Sequence, residues 1–285
     1  VTSDVAIHDF GGPADGPVVL FSHATGFCGW TYQPIATHLT DRFHCLALDY
    51  RGFGDTPLPD GWDVDWWEYG REALDVVHEV ADGTPILAFG HSMGGTALLM
   101  AALTDPDAFA GIVTFEPIIF PAEGLGGPAA DGNNSNPLAN GARRRRASFD
   151  SFQQAFDNFA AKPPFDNVDP VALRAYVDHG FFLGEDTKVH LKCTPEHEAD
   201  TFEAAGKHHF WDRLPEVHVS TWVYCGAFEA AQPAVIAPRI AERIPDGHFE
   251  QFTEFNHFGP LQAPARFAEL IGTVAAEVGL SPDHR

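Results

Sequence analysis

Ser92 stands at the centre of Gly90-His91-Ser92-Met93-Gly94, a G-x-S-x-G pentapeptide. A serine hydroxyl is a weak nucleophile until a neighbouring base takes its proton; once activated it attacks carbonyl carbon and forms a covalent acyl intermediate. The pattern carries that chemistry only where a strand runs into it and a helix leaves it. Both are predicted here. Pro85 to Phe89 is an apolar run of strand length, and Gly95 to Leu103 is small and apolar, as a buried helix would be. In such a turn the nucleophile takes a strained backbone conformation, and the residues two before and two after it pass too close for a Cβ. The serine then sits at the strand's carboxyl end above a helix N-terminus. That positive dipole end favours the negative charge that develops during acyl transfer.

The second chemical signal is a carboxylate. Glu116 interrupts the apolar run GIVTFEPIIFP, enclosed by Thr114-Phe115 and Pro117-Ile118-Ile119. A lone acid in such surroundings is costly to bury, and is tolerable mainly where it meets a histidine donor or its cation. It also follows a strand, the place where open α/β sheets put ligand chemistry. Histidines number 15, but none falls in H-E-x-x-H or another metal-ligand spacing, and the adjacent His208 and His209 point apart. No metal and no organic cofactor is expected.

The elements that must position these groups alternate between strand and helix. Residues 1 to 10 alternate weakly as an early strand, and GGPADGP is a turn. Val18 to Ser22, Phe43 to Leu48 and Gly111 to Phe115 are apolar strands, and residues 68 to 80 have helical spacing behind Trp62, Trp66 and Trp67. From about Pro121 to Leu214 the pattern changes. Gly, Pro and Asn dominate 121 to 141, and three helical candidates follow without strands between them: Phe149 to Ala161, Pro170 to His179 and Pro195 to Leu214. The sheet resumes at Val217 to Tyr224, with a helix over 234 to 244, a last strand from Phe249 to Phe255 and a closing helix over 262 to 278. The organisation expected is a core in two parts, residues 1–120 and 215–285, interrupted by a helical insertion over 121–214.

Several loops make the pattern more specific. The strand at Val18 to Ser22 ends in His23-Ala24-Thr25-Gly26-Phe27, and the next closes with Asp49-Tyr50-Arg51-Gly52-Phe53-Gly54. Cys225-Gly226-Ala227-Phe228-Glu229 with Pro233 follows a late strand, and Asn256-His257-Phe258-Gly259-Pro260 follows the last. With these motifs the chain resembles the α/β-hydrolases over essentially its whole length, departing from their His-Gly-x-x-Gly loop in having Ala24 as the second residue. The resemblance implies an α/β-hydrolase fold, a mostly parallel sheet flanked by helices, with the insertion as a helical cap. It implies backbone oxyanion donors at Thr25 and Met93, a structural His23, and a turn-building Asp49 and Arg51. It also implies His257 as the base that activates Ser92. For the acid behind His257 there are two candidates. Glu229 occupies the position most such hydrolases use, with Glu where Asp is usual. Glu116 sits where dehalogenase-like relatives and some lactonases carry it, and as the isolated buried carboxylate it is the stronger hint.

The implied activity is hydrolysis of a carboxylic ester with apolar parts through an acyl-serine. Lactone or carbon–carbon bond hydrolysis on the same groups is the alternative, and a ligand receptor on a hydrolase fold is the non-enzymatic one. Dehalogenase chemistry is disfavoured because it needs a carboxylate where Ser92 stands. The cap's aromatics (among them Phe149, Phe159, Phe181 and Trp211) line an apolar pocket or pack the cap onto the core. Arg143 to Arg146 is the one strongly basic run; its members pair with surrounding acids, or one of them holds a substrate carboxylate.

Composition narrows the partners. Forty acids against 17 bases give a net charge of −23, a surface that repels nucleic acid and anionic membranes. Cys28, Cys45, Cys193 and Cys225 have no C-x-x-C spacing and are expected as buried thiols. No apolar run approaches transmembrane length and the N-terminus lacks a signal pattern, so a cytoplasmic location and a small apolar ester or lactone as partner are expected. Oligomeric state is left open.

Overall fold

The computed structural model describes residues 4–121, 136–229 and 233–280. Its first strands are β1 (Ala6–Gly11), β2 (Val18–Ser22), β3 (His44–Asp49), β4 (Ile86–His91) and β5 (Phe109–Phe115). Helices α1 (Gln33–Ala36), α2 (Trp66–Val80) and α3 (Met93–Thr104) lie between them. Later in the chain, β9 (Thr221–Cys225) and β10 (Gly247–Gln251) complete a seven-stranded sheet in the order β1-β3-β2-β4-β5-β9-β10. Only β1 is antiparallel to its neighbour. Helices α8 (Ala237–Arg243), α9 (Gly259–Gln262) and α10 (Pro264–Glu277) follow in the C-terminal part.

The central strands of the sheet are buried on both faces, and their side chains divide by parity as the strand period of two requires. Leu20, Ala88, Ile112 and Val223 pack into one apolar cluster with α2, α3 and α8. Phe21, Phe89, Val113 and Tyr224 pack into another with α1 and α10. α3 is buried from Met93 through Ala102, which is why its sequence is apolar all round rather than amphipathic. In register, Ser22 pairs with Gly90, His91 with Phe115 and Phe115 with Tyr224. The segments that leave these carboxyl ends therefore emerge side by side, as binding loops do in open parallel sheets.

Between β5 and β9 the chain leaves this sheet. It forms α4 (Pro137–Arg143), β6 (Ser148–Phe149), α5 (Phe152–Ala160), α6 (Pro170–His179), β7 (Phe181–Leu183), β8 (Val189–Leu191) and α7 (Pro195–Ala204). The strands make a small antiparallel sheet in the order β6-β8-β7, so this insert is not purely helical. The third helical candidate also ends early: after Ala204 the chain turns, His209 takes a left-handed conformation (φ 50°), and Phe210–Glu216 continues as a 3-10 helix containing Pro215. The Gly- and Asn-rich stretch over 122–135 lies outside the described residues. Two tryptophans tie the insert to the core: Trp66 Nε1 donates to Thr201 O at 3.1 Å and Trp67 Nε1 to His208 O at 3.0 Å. Among the described residues no helix is long and apolar enough to cross a membrane.

Candidate active site

Ser92 lies between the end of β4 and the start of α3 with φ 55° and ψ −117°, a conformation L-residues rarely adopt. The flanking glycines make it possible. A Cβ on Gly90 would stand 2.5 Å from Gly95 Cα, and one on Gly94 would stand 2.2 Å from Ser22 O. The turn is pinned by the Ser92 amide, which donates to Phe115 O at 2.9 Å. Met93 opens α3, so its amide has no acceptor within the helix. Thr25, on the loop after β2, stands next to it, with Thr25 Oγ1 3.5 Å from Met93 Sδ. The two positions expected to bind an oxyanion are thus brought together beside Ser92.

His257 follows β10, and its Nδ1 lies 2.6 Å from Glu116 Oε2. Glu116 directly follows β5 and is 1% exposed. Its other oxygen accepts from the Gly226 amide at 2.9 Å. Two donors on one carboxylate answer the desolvation cost that made the sequence position conspicuous. Glu229 is exposed on the loop after β9; of the two candidate acids, Glu116 is the one in contact with His257.

Two further histidines brace the loops. His91, fully buried, has Nε2 2.8 Å from the carbonyl of His257 and Nδ1 2.8 Å from Tyr32 Oη. A carbonyl only accepts, so Nε2 carries the proton, and the bare Nδ1 accepts from the tyrosine. The tyrosine oxygen in turn accepts from the Ala24 amide at 3.2 Å. Burial, and the proximity of His257, hold His91 well below the ordinary histidine pKa, so it stays neutral. His23 Nδ1 donates to Ala24 O at 2.9 Å and its Nε2 accepts from the Tyr50 amide at 3.0 Å. Both ring nitrogens serve the loop backbone, a structural role. Sequence reasoning gave His91 no role: its partner lies 166 residues away and is a backbone carbonyl.

Aromatic rings wall the region. Phe258, next to His257, packs on Phe27 and Phe165 with ring centroids 5.8 and 5.4 Å apart, and Phe27 packs on Tyr176 at 5.0 Å. Of the insert's other aromatics, Phe149 and Phe181 are buried in packing while Phe182 is exposed. The basic run divides. α4 ends at Arg143, which binds Glu196, Asp200 and Glu203, while Arg145 turns inward to Glu198 and Tyr176. Among the described residues His8, Asp49 and Asp55 have side chains close enough to share a metal ion. However, Asp49 takes His8 Nε2 at 2.6 Å and the Gly29 and Asp55 amides at 2.6 and 2.8 Å, and Asp55 pairs with Lys192 at 2.5 Å. That cluster anchors the Asp49–Gly54 turn.

The model of the "Alpha/beta hydrolase family" matches residues 19–270. The chain belongs to that family. Among curated proteins this hydrolase is 31% identical over 137 residues to "Haloalkane dehalogenase 2" of Mycobacterium bovis, covering 47% of this chain and 46% of that one. It is 30% identical over 102 residues to "2-(acetamidomethylene)succinate hydrolase" of Mesorhizobium japonicum, covering 35% and 36%. The matches span less than half of each of these relatives. Among solved structures, E-2-(acetamidomethylene)succinate hydrolase superposes on the hydrolase with a TM-score of 0.76 at 18% identity, covering 94% of each chain. That likeness is one of fold.

Proposed function

We propose that this hydrolase cleaves carboxylic esters with apolar parts through an acyl-enzyme on Ser92. The observation that carries the reading is the 2.6 Å contact of His257 Nδ1 with the buried Glu116 carboxylate, in a loop braced by the residue that precedes Ser92. The carboxylate keeps the Nδ1 proton in place, which leaves Nε2 as the base for the Ser92 hydroxyl. Serine attack on the ester carbonyl generates an oxyanion, for which the Thr25 and Met93 amides are the donors. His257 then returns the proton to the departing alkoxide. Water, activated by the same imidazole, releases the acid and restores Ser92.

The position of Glu116 after β5 favours a second reading, lactone hydrolysis, in which the leaving alkoxide stays tethered to the acyl group. Dehalogenation fits poorly. A carboxylate nucleophile displacing halide forms an ester that water can open, whereas a serine would form an ether with no carbonyl to attack.

Steady turnover of p-nitrophenyl esters is the test, run beside Ser92→Ala. The variant should lose on the order of 10⁴-fold or more in kcat while melting within a few degrees of the parent. Residual hydrolysis above about a tenth of the parent rate would remove Ser92 from the reaction. Labelling by a fluorophosphonate without ester turnover would point to a receptor on a hydrolase fold.

A further inference from the structure

The aromatic wall ends in a polar group. Arg145 and Glu198 are paired with side chains only 18% and 9% exposed, and the guanidinium also donates to Tyr176 Oη at 2.6 Å. This group abuts the loop that carries Thr25: a Cβ on Gly26 would stand 2.6 Å from Glu198 Oε1 and 3.4 Å from Arg145 Nη1. Tyr176 packs on Phe27, and Phe27 on Phe258 beside His257. A continuous run of packed rings therefore links His257, through Phe258, Phe27 and Tyr176, to a buried ion pair.

The valences say what that end recognises. A guanidinium donates and never accepts, so Tyr176 Oη is the acceptor in their bond and keeps its own proton to give. Burial, only partly countered by Arg145, pushes that hydroxyl up to about 12, so the proton stays on. An unpaired arginine would suit a substrate carboxylate. Here Glu198 already neutralises it, and a second carboxylate would leave a buried net negative charge beside Glu198, in a chain already at −23.

We propose that Arg145, Tyr176 and Glu198 form the polar end of the substrate site and select esters whose apolar part carries an uncharged oxygen, a hydroxyl or a keto group, over plain and acidic esters. This rests on the esterase reading and names its substrate class. Tyr176 and Arg145 donate to the oxygen; Glu198 accepts from it where it is a hydroxyl. No bond is made or broken at this end.

The test compares p-nitrophenyl esters of matched chain length: plain, hydroxy, keto and terminal carboxylate. The hydroxy or keto series should exceed the plain one at least tenfold in kcat/KM at its best chain length, because a site built to bond an oxygen discriminates against the analogue lacking it. A hydroxy-only preference assigns Glu198 a direct contact; an equal preference assigns recognition to the donors. Tyr176→Phe, and Arg145→Met/Glu198→Gln made together so that no buried charge is left unpaired, should bring the oxygenated-to-plain ratio towards one. A structural role would lower all substrates by one factor and leave that ratio intact. Equal turnover of plain and oxygenated esters, or preference for the carboxylate, overturns the proposal. Calorimetric binding of the same esters to Ser92→Ala reads selectivity without turnover. Selectivity there in an enzyme that hydrolyses none of them would defeat only the ester chemistry, and turnover without selectivity would defeat only this inference.

Discussion

His91 Nε2 donates to the backbone carbonyl of His257 at 2.8 Å, so the residue before the proposed nucleophile holds the loop of its proposed base. Through Tyr32 the same ring reaches the Ala24 amide, one residue from Thr25. The proposed nucleophile, base and oxyanion loop are thus registered by one neutral imidazole. His91→Leu should lower kcat by roughly 10- to 100-fold with little change in KM, since orientation rather than binding is lost. His91→Gln, which can still donate and accept, should recover part of it. Unchanged kcat in a His91→Leu enzyme that melts lower would reduce the ring to packing.

Glu116→Gln and Glu229→Gln, assayed at the pH optimum, separate the two candidate acids. The first should cost on the order of 10³- to 10⁴-fold in kcat, because an amide cannot hold the imidazole tautomer and stabilise its cation. The second should cost little, as Glu229 is exposed. The reverse outcome would move the proposed triad's acid to the loop after β9.

His208 should make the fold acid-sensitive. Its Nε2 donates to Ile118 O at 3.0 Å and its Nδ1 accepts from the Phe210 amide at 3.1 Å, an arrangement only the neutral ring can make. Burial lowers its pKa from 6.5 to about 4. Between those values the unfolded chain binds the proton and the folded one does not, so the contribution of His208 to stability falls as pH drops from about 6.5 and levels off below about 4. The gap is worth about 3 kcal/mol. Melting temperature against pH should be flatter over that window in His208→Gln; an unaltered slope would place the sensitivity elsewhere.

Salt should stabilise the protein. At a net charge of −23 the folded chain repels itself, and screening relieves that more than it weakens exposed pairs such as those of Arg143. The melting temperature should rise between about 0.05 and 1 M sodium chloride, where the Debye length shrinks to about 3 Å. A fall would mean that the surface ion pairs outweigh the repulsion.

What could be read in the sequence was whatever depends on local pattern. Strand–turn–helix around Ser92 is contiguous, and Glu116 stood out because a charge in an apolar run needs a partner. The partner itself lay 141 residues away. The sheet of the insert escaped notice because β6, β7 and β8 are two or three residues long, too short for an alternation to show. The predicted helix over 195–214 stops at Ala204, and the left-handed His209 separates it from the 3-10 helix that follows. Arg145 could not be told from its three neighbours, because which arginine turns inward depends on where α4 stops.

The dihedral angles of Ser92 also place a ceiling on how stable this fold can be. A conformation of that kind costs a side-chain-bearing residue about 1–3 kcal/mol, and glycine would adopt it without strain. Selection for stability alone would therefore put glycine at position 92 and remove the proposed nucleophile. Ser92→Gly should melt above Ser92→Ala although it has one carbon fewer, so the proposed nucleophile would be held at a point where the backbone is under strain.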